Sequence, residues 1–153
     1  MDWNAIGALG EVAGAIGVIL TLIYLASQLR QNTSMMRNTA AQATAAAGRE
    51  VALATMSSPE TVQALVKSMS GEKLTAEEQI HYRMWCQAMF RAVESYFMHW
   101  ESGLVPEEFW LTRLEALKTG LNPQMKSVWI EARPGFHPDF AAALDDAWPE
   151  AKI

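Results

Sequence analysis

The first third of the chain carries the strongest pattern of apolar and polar positions. Residues 5–29 are almost entirely apolar or small, with one acid at Glu11, and no charged residue occurs in the 18 positions of residues 12–29. Because roughly 20 apolar residues in a helix span the hydrocarbon core of a bilayer, this pattern predicts a transmembrane helix. A cleaved signal peptide would need a basic start and a shorter apolar core, whereas this chain begins Met1-Asp2 and has no Lys or Arg before Arg30.

Small residues recur along one side of this predicted span, at spacings of 3, 4, 3 and 4. The row consists of Gly7, Gly10, Gly14, Gly17 and Thr21, and we call it the glycine face. Small residues allow helix backbones to approach closely in lipid, where no hydrophobic effect drives helices together. A repeat averaging about 3.5 residues favours a left-handed crossing. We therefore predict self-association through this face, with docking on the span of another membrane protein as the alternative.

The polar groups near the span admit more than one interpretation. Glu11 lies on the flank of the glycine face, so a ring of subunits would carry a ring of carboxylates that favours cations. Alternatively, Glu11 lies near the outer headgroups and its carboxylate is solvated there. Gln28, Arg30, Gln31 and Asn32 surround one turn at the other end. They are candidates for contacts between subunits, for binding lipid phosphates, or for ordinary contacts with headgroups.

Charge sets the expected orientation. Residues 1–29 carry two acids and no base, whereas Arg30, Arg37 and Arg49 follow the span. Because basic residues flanking a span are found in excess on the cytoplasmic side, we predict an external N-terminus and a cytoplasmic C-terminal domain, at the inner membrane of a bacterium. The net charge of −5 leaves no basic surface of the kind that binds nucleic acid.

In the remainder of the chain, prolines, glycines and capping residues mark the starts and ends of helices, and no strand pattern occurs. Proline is absent before Pro59 and Gly48 is the only glycine in residues 19–58, so the first helix is expected to continue to Met56 through an alanine-rich seam (Leu29, Met36, Ala40, Ala43, Ala47 and Ala54). Further helices are predicted to open at Ser58-Pro59, at the capping box Thr75–Glu78, at Pro106, at Asn122-Pro123 and at Pro138. This pattern predicts an all-α protein: a transmembrane anchor (1–29), a juxtamembrane extension of that helix (30–57) and a cytoplasmic helical domain (58–153).

The expected core sides of these helices follow from their apolar positions. They are Val62, Leu65, Val66 and Met69; then Ile80, Met84, Ala88, Val93, Tyr96, Phe97 and Trp100; then Phe109, Trp110, Leu114 and Leu117; then Met125, Val128 and Trp129; and last Phe140, Leu144 and Trp148. We also expect Trp129, Arg133, Phe136 and Phe140 to form a cluster in which Arg133 stacks on an aromatic ring.

Candidate chemistry is sparse. Glu78 and His81 have the Glu-x-x-His spacing of di-iron bundles, but those bundles need a second copy that the chain lacks. Cys86, the single cysteine, follows Trp85 inside a predicted helix, where a buried inert thiol is expected. We predict no metal site, no cofactor and no catalytic residue.

The segment Tyr24-Leu25-Ala26-Ser27-Gln28-Leu29-Arg30-Gln31-Asn32-Thr33 resembles a group of uncharacterised single-pass membrane proteins common in proteobacteria. In that family a glycine-rich span runs into a Tyr-Leu-Ala-x-Gln-x-Arg-Gln-Asn-Thr stretch and then a helical domain of about a hundred residues. Later matches are Tyr96, Gly103-Leu104, Trp110, Trp129-x-x-x-Arg133 and Phe136-x-Pro138-x-Phe140. The resemblance implies the same topology and boundaries, and no activity.

Two hypotheses result. The first is a non-enzymatic homo-oligomer of the inner membrane, a scaffold or an ion channel, assembled on the glycine face and in contact with lipid. The second is an accessory or adaptor subunit of a larger membrane complex, with a partner membrane protein bound to the same face.

Overall fold

The computed structural model describes residues 2–120 and 122–147. Within these ranges the protein is helical and contains no strand, which confirms the predicted all-α class. The elements are α1 (Trp3–Met56), α2 (Pro59–Met69), α3 (Ala76–Glu101), α4 (Glu107–Gly120), α5 (Pro123–Ala132), a 3₁₀ turn (Arg133–Gly135) and α6 (Pro138–Ala147). The expected core residue Trp148 lies outside the described residues.

The chain consists of two compact units, Met1–Thr39 and Ala40–Ile153. The boundary between them lies inside α1, within the segment predicted as a juxtamembrane extension, and the helix continues through it without a break. The second unit therefore begins earlier in the chain than the predicted helical domain, because the last turns of α1 belong to it.

In the first unit every described side chain is exposed. This part of α1 contains an 18-residue apolar window of which no residue is buried, and it is the one described helix long and apolar enough to cross a membrane. Leu9, Ile16, Leu20 and Ile23 are among its exposed large apolar side chains. Burial of this surface would need a bilayer or another chain, since the unit has no further element of its own.

In the second unit the last turns of α1 pack against the rest of the domain. Ala40 and Thr44 are buried, and the Thr44 Oγ1 donates to the Ala40 carbonyl at 3.0 Å. A Cβ placed on Gly48 would lie 3.9 Å from the hydroxyl of Tyr96 on α3. A Cβ at this distance would make ordinary van der Waals contact with α3, and Ala40 of the predicted alanine seam is buried within its own unit.

The predicted helix boundaries of this unit rest on local capping. Ser58 accepts from the Thr61 amide, Asn122 from the Met125 amide, and Thr75 forms a reciprocal capping box with Glu78. Gly103 has φ +68° immediately after α3, a backbone conformation that glycine adopts without steric cost. These signals are local in sequence, so each start and stop was predictable.

The core is organised around α3, which is covered by α2, α4, α5 and α6. Its centre is an aromatic cluster in which the rings of Phe90 and Trp129 lie 5.0 Å apart and those of Phe97 and Trp110 lie 5.2 Å apart, both edge to face. The largest fully buried side chains are Trp129, Phe90, Phe140, Leu144 and Cys86. These contacts hold α5 and α6 against the middle of α3.

Three of the predicted core faces were wrong in part. In α2 the buried residues are Ala64 and Ser68, whereas Val62, Val66 and Met69 are exposed. In α3 the first half turns Tyr82, Cys86 and Phe90 inward and leaves Ile80, Met84 and Ala88 exposed, and in α4 Phe109 is exposed. These three helices carry apolar residues on more than one face, and the tertiary packing decides which face meets the neighbouring helices.

Candidate functional site

The glycine face is a continuous exposed strip on the first unit. At 100° per residue, its five residues fall within about 80° of arc around α1. A Cβ added to Gly7, Gly10, Gly14 or Gly17 would meet no atom within 4 Å. Thr21 completes the strip and turns its Oγ1 back to the Gly17 carbonyl at 2.9 Å, so its hydroxyl is satisfied within the helix. The strip therefore presents a shallow, backbone-lined surface with no unsatisfied polar side chain.

Glu11 lies on the flank of this strip, as its position in the sequence predicts. Its side chain is exposed, and about 40° of arc separates it from Gly7 around the helix. A carboxylate at this place would face the edge of any helix pair formed through the glycines. No ion pair joins Glu11 to another described residue of the first unit, so its role depends on what surrounds the helix.

The polar residues after the span are distributed around α1. Gln28 lies in line with the glycine face and donates from Nε2 to the Tyr24 hydroxyl at 2.6 Å. Asn32 falls in the same sector, whereas Arg30 lies on the opposite side of the helix and Gln31 between them. All are exposed. They form a polar collar around one turn, and of them only Gln28 and Asn32 extend the glycine face.

Glu78 and His81 are occupied by structural contacts. Glu78 accepts from Lys67 Nζ at 2.5 Å and from the Thr75 amide at 2.8 Å, and these contacts lower the pKa of its carboxyl. His81 Nδ1 lies 3.3 Å from the Thr61 hydroxyl. The two side chains thus tie α2 to α3, and their Glu-x-x-His spacing does not gather metal ligands.

The thiol and the second histidine of α3 are also accounted for by packing. Cys86 is fully buried, and burial raises the pKa of its thiol to about 12, so the nucleophilic thiolate is absent at neutral pH. His99 donates from Nδ1 to the Ser95 carbonyl at 2.7 Å. Neither residue is poised for chemistry.

The predicted aromatic cluster forms, but its cation differs from the one expected. Arg133 does not stack on a ring; it pairs with the buried Asp145 at 2.5 Å, and Asp145 also accepts from the indole nitrogen of Trp129 at 3.0 Å. The guanidinium that covers an aromatic ring belongs to Arg91, 4.0 Å from the centre of Phe136. Sequence gave no signal for Arg91, because it is 45 positions away from its ring.

A cleft between α3 and α5 in the second unit has a volume of about 370 Å³. It is open to solvent and lined by apolar groups such as Leu74 and Val128 together with Lys73 and Arg83. Arg83 is paired with Glu131 at its rim. The two hydroxyl groups in its lining donate elsewhere, Ser127 to the Pro123 carbonyl at 3.1 Å and Tyr82 to Asn122 Oδ1 at 3.1 Å, so the cleft does not define a reaction.

Against known proteins, no family model, no curated protein and no solved structure matches this chain.

Proposed function

We propose that the protein is a non-enzymatic, single-pass membrane protein that assembles with copies of itself through the glycine face. The observation that carries this proposal is the exposed strip of Gly7, Gly10, Gly14 and Gly17, each with open space where a Cβ would be, in a part of α1 whose apolar window has no buried residue. A helix of this composition is stable in a bilayer, and its small residues offer the close backbone approach on which helix pairs in lipid depend.

Charge supports an orientation with the C-terminal unit in the cytoplasm. Arg30 and Arg37 are exposed on α1 just beyond the apolar window, and no base precedes them. In a bacterial inner membrane this arrangement retains the basic end inside. Addition of an alkaline phosphatase to the C-terminus should then give an inactive fusion, and addition of a fluorescent protein that matures only in the cytoplasm should give a fluorescent one.

The contacts of the reactive side chains in α3 support a non-enzymatic role. Glu78, His81, Cys86 and His99 each have a structural contact or are fully buried. The function then lies in assembly, as a scaffold or as a conducting path through the membrane.

The test is the mass of the full chain in nanodiscs of neutral lipid, measured by native mass spectrometry for the wild type and two variants. Gly14→Ile places a branched side chain on the glycine face and should convert a closed oligomer to monomer. Ala15→Ile adds the same side chain at the same depth, about 120° of arc from the centre of the face, and should leave the oligomer intact. Equal masses for the two variants would contradict assembly through this face.

Glu11 distinguishes a conducting assembly from a closed one. If the assembly encloses a water-filled path, its ring of carboxylates favours cations, and Glu11→Ala should reduce cation selectivity in planar bilayers. Gln28 and Asn32 would then lie nearest the path at its cytoplasmic end. Identical currents from wild type and Glu11→Ala would remove the charged ring from the mechanism.

A second candidate, an accessory subunit that docks on another protein, is favoured by an apolar cleft in the C-terminal unit. Val51 and Ala54 of α1 line this cleft opposite Ile80 and Met84 of α3, and both of these α3 side chains are largely exposed. Exposed apolar surface of this kind marks interaction sites. A monomeric wild type in the mass measurement would favour this candidate over self-assembly.

A further inference from the structure

Three metal-ligating side chains of the second unit meet where α3 ends and α6 begins. Glu101 is the last residue of α3, His137 directly precedes α6, and Asp139 lies in the first turn of α6. One ligand atom from each lies within 4.8 Å of the other two. Glu101 lies 36 positions before His137, so no spacing motif in the sequence marks the cluster.

The backbone that carries His137 is held in place by contacts to α3. The His137 amide donates to Glu94 Oε1 at 2.7 Å, and the neighbouring Gly135 carbonyl accepts from Arg91 at 2.6 Å. Phe136 between them is buried in the aromatic cluster. The imidazole is therefore presented from a fixed loop, which is the condition for a preorganised ligand.

The imidazole itself contains a nitrogen that needs a partner. His137 Nδ1 is buried, yet it makes no hydrogen bond to any described residue. The nearest carboxylate oxygen, Asp139 Oδ2, is 3.8 Å away, too far for a hydrogen bond. Because leaving a buried polar atom unsatisfied is costly, such an atom indicates an ordered water or an ion beside it.

We propose that Glu101, His137 and Asp139 bind one divalent transition-metal cation, with Zn²⁺ as the representative of the class. Two ligands about 2.1 Å from a shared tetrahedral ion lie roughly 3.4 Å apart, close to the separation of Nδ1 and Oδ2. The imidazole selects this class over Mg²⁺ and Ca²⁺, which prefer oxygen ligands only. Two carboxylates neutralise the charge of the ion.

The unsatisfied nitrogen carries the proposal, since the carboxylates have an ordinary explanation. Asp139 in the first turn of α6 complements the helix dipole by itself, and Glu101 is exposed to solvent. A bound cation would connect the end of α3 to the start of α6 and fix the final helix against the core. The proposal does not depend on self-association, and it adds a metal where the sequence predicts none.

The experiment is a calorimetric titration of the full chain with ZnCl₂, in a nonionic detergent that offers no charged headgroup. We expect one Zn²⁺ per chain, and visible absorption bands of a bound ion when Co²⁺ replaces Zn²⁺. Mg²⁺ and Ca²⁺ should not compete. Absence of saturable Zn²⁺ binding by the wild type would overturn the proposal.

Variants assign the ligands. We expect Zn²⁺ affinity to fall by at least ~10-fold in each of three variants, His137→Ala, Asp139→Asn and Glu101→Gln. Loss of a residue that only hydrogen-bonds to a metal ligand already lowers metal affinity by about 10-fold or more, and loss of a ligand itself should cost no less. His81→Gln and Glu107→Gln, outside the cluster, should bind as the wild type does. Asp139 and Glu101 are exposed, so these two variants are expected to fold, as circular dichroism would verify. Wild-type affinity in the three ligand variants would place the ion elsewhere and refute the assignment.

Discussion

Removal of the Asp145 carboxylate tests how the C-terminal helix is held. Asp145 is 5% exposed, and it accepts from the Trp129 indole nitrogen at 3.0 Å while pairing with Arg133 at 2.5 Å. Asp145→Ala leaves the fully buried indole donor of Trp129 without a partner, which costs about 1–3 kcal/mol. Arg133 is half exposed and can be hydrated, so loss of its ion pair adds at most ~1 kcal/mol.

We therefore expect Asp145→Ala to lower the free energy of unfolding by about 2–3 kcal/mol. Asp145→Asn keeps an oxygen that can accept from the indole, and should lose only about 1 kcal/mol. The assay is urea unfolding of the full chain in mild detergent, followed by near-ultraviolet circular dichroism of the tryptophans. With an m-value of 1–3 kcal/mol/M, the alanine variant should shift the midpoint by roughly 1 M.

Glu131→Gln is the matched control. It breaks the ion pair between Arg83 and Glu131, in which both side chains are more than half exposed, and should cost less than ~0.5 kcal/mol. If Asp145→Ala costs no more than Glu131→Gln, the buried indole has found another partner and the reasoning is refuted. If the alanine and asparagine variants are equally destabilised, the charge of Asp145 matters more than its role as an acceptor.

Three further predictions concern the same domain. Leu144→Ala, at a fully buried position, should lower the unfolding free energy by about 2–5 kcal/mol in the same assay, whereas Leu111→Ala, at an exposed one, should change it by less than ~0.5 kcal/mol. Cys86 should resist a thiol reagent at pH 8 and react only at the rate of unfolding, because burial raises its pKa to about 12; rapid labelling of the native protein would contradict this. The pKa of the Glu78 carboxyl is lowered by Lys67 and by the Thr75 amide, so the stabilisation that the carboxylate contributes is present above its unfolded pKa and is lost as the pH falls through its folded pKa. Glu78→Gln should therefore weaken the acid dependence of the unfolding free energy, measured between neutral pH and pH 3. An unchanged dependence would show that the contact contributes nothing to stability.

Local signals in the sequence predicted the helices well. Ser58, Thr75 and Asn122 cap the helices that they were expected to cap, because a capping side chain bonds to an amide two or three residues away. The long first helix to Met56 follows from the same kind of information, namely the absence of proline and an apolar stretch of membrane length. The glycine face was likewise visible in sequence, because its members lie three or four residues apart on a single helix.

The tertiary structure decided which faces those helices bury. Both Ile80 and Tyr82 are apolar enough for a core, and only the positions of α2 and α5 turn Tyr82 inward, where its hydroxyl donates to Asn122 at 3.1 Å. The same holds for Arg91 over Phe136, and for Ala40, whose place in an alanine seam did not reveal that its own domain covers it. Capping and periodicity depend on neighbours within one turn, so the sequence by itself determined the helices and their order. Three features depend on residues tens of positions apart, which only the packed helices bring together: the face that each helix buries, the partner of each long-range ion pair, and the proximity of Glu101 to His137.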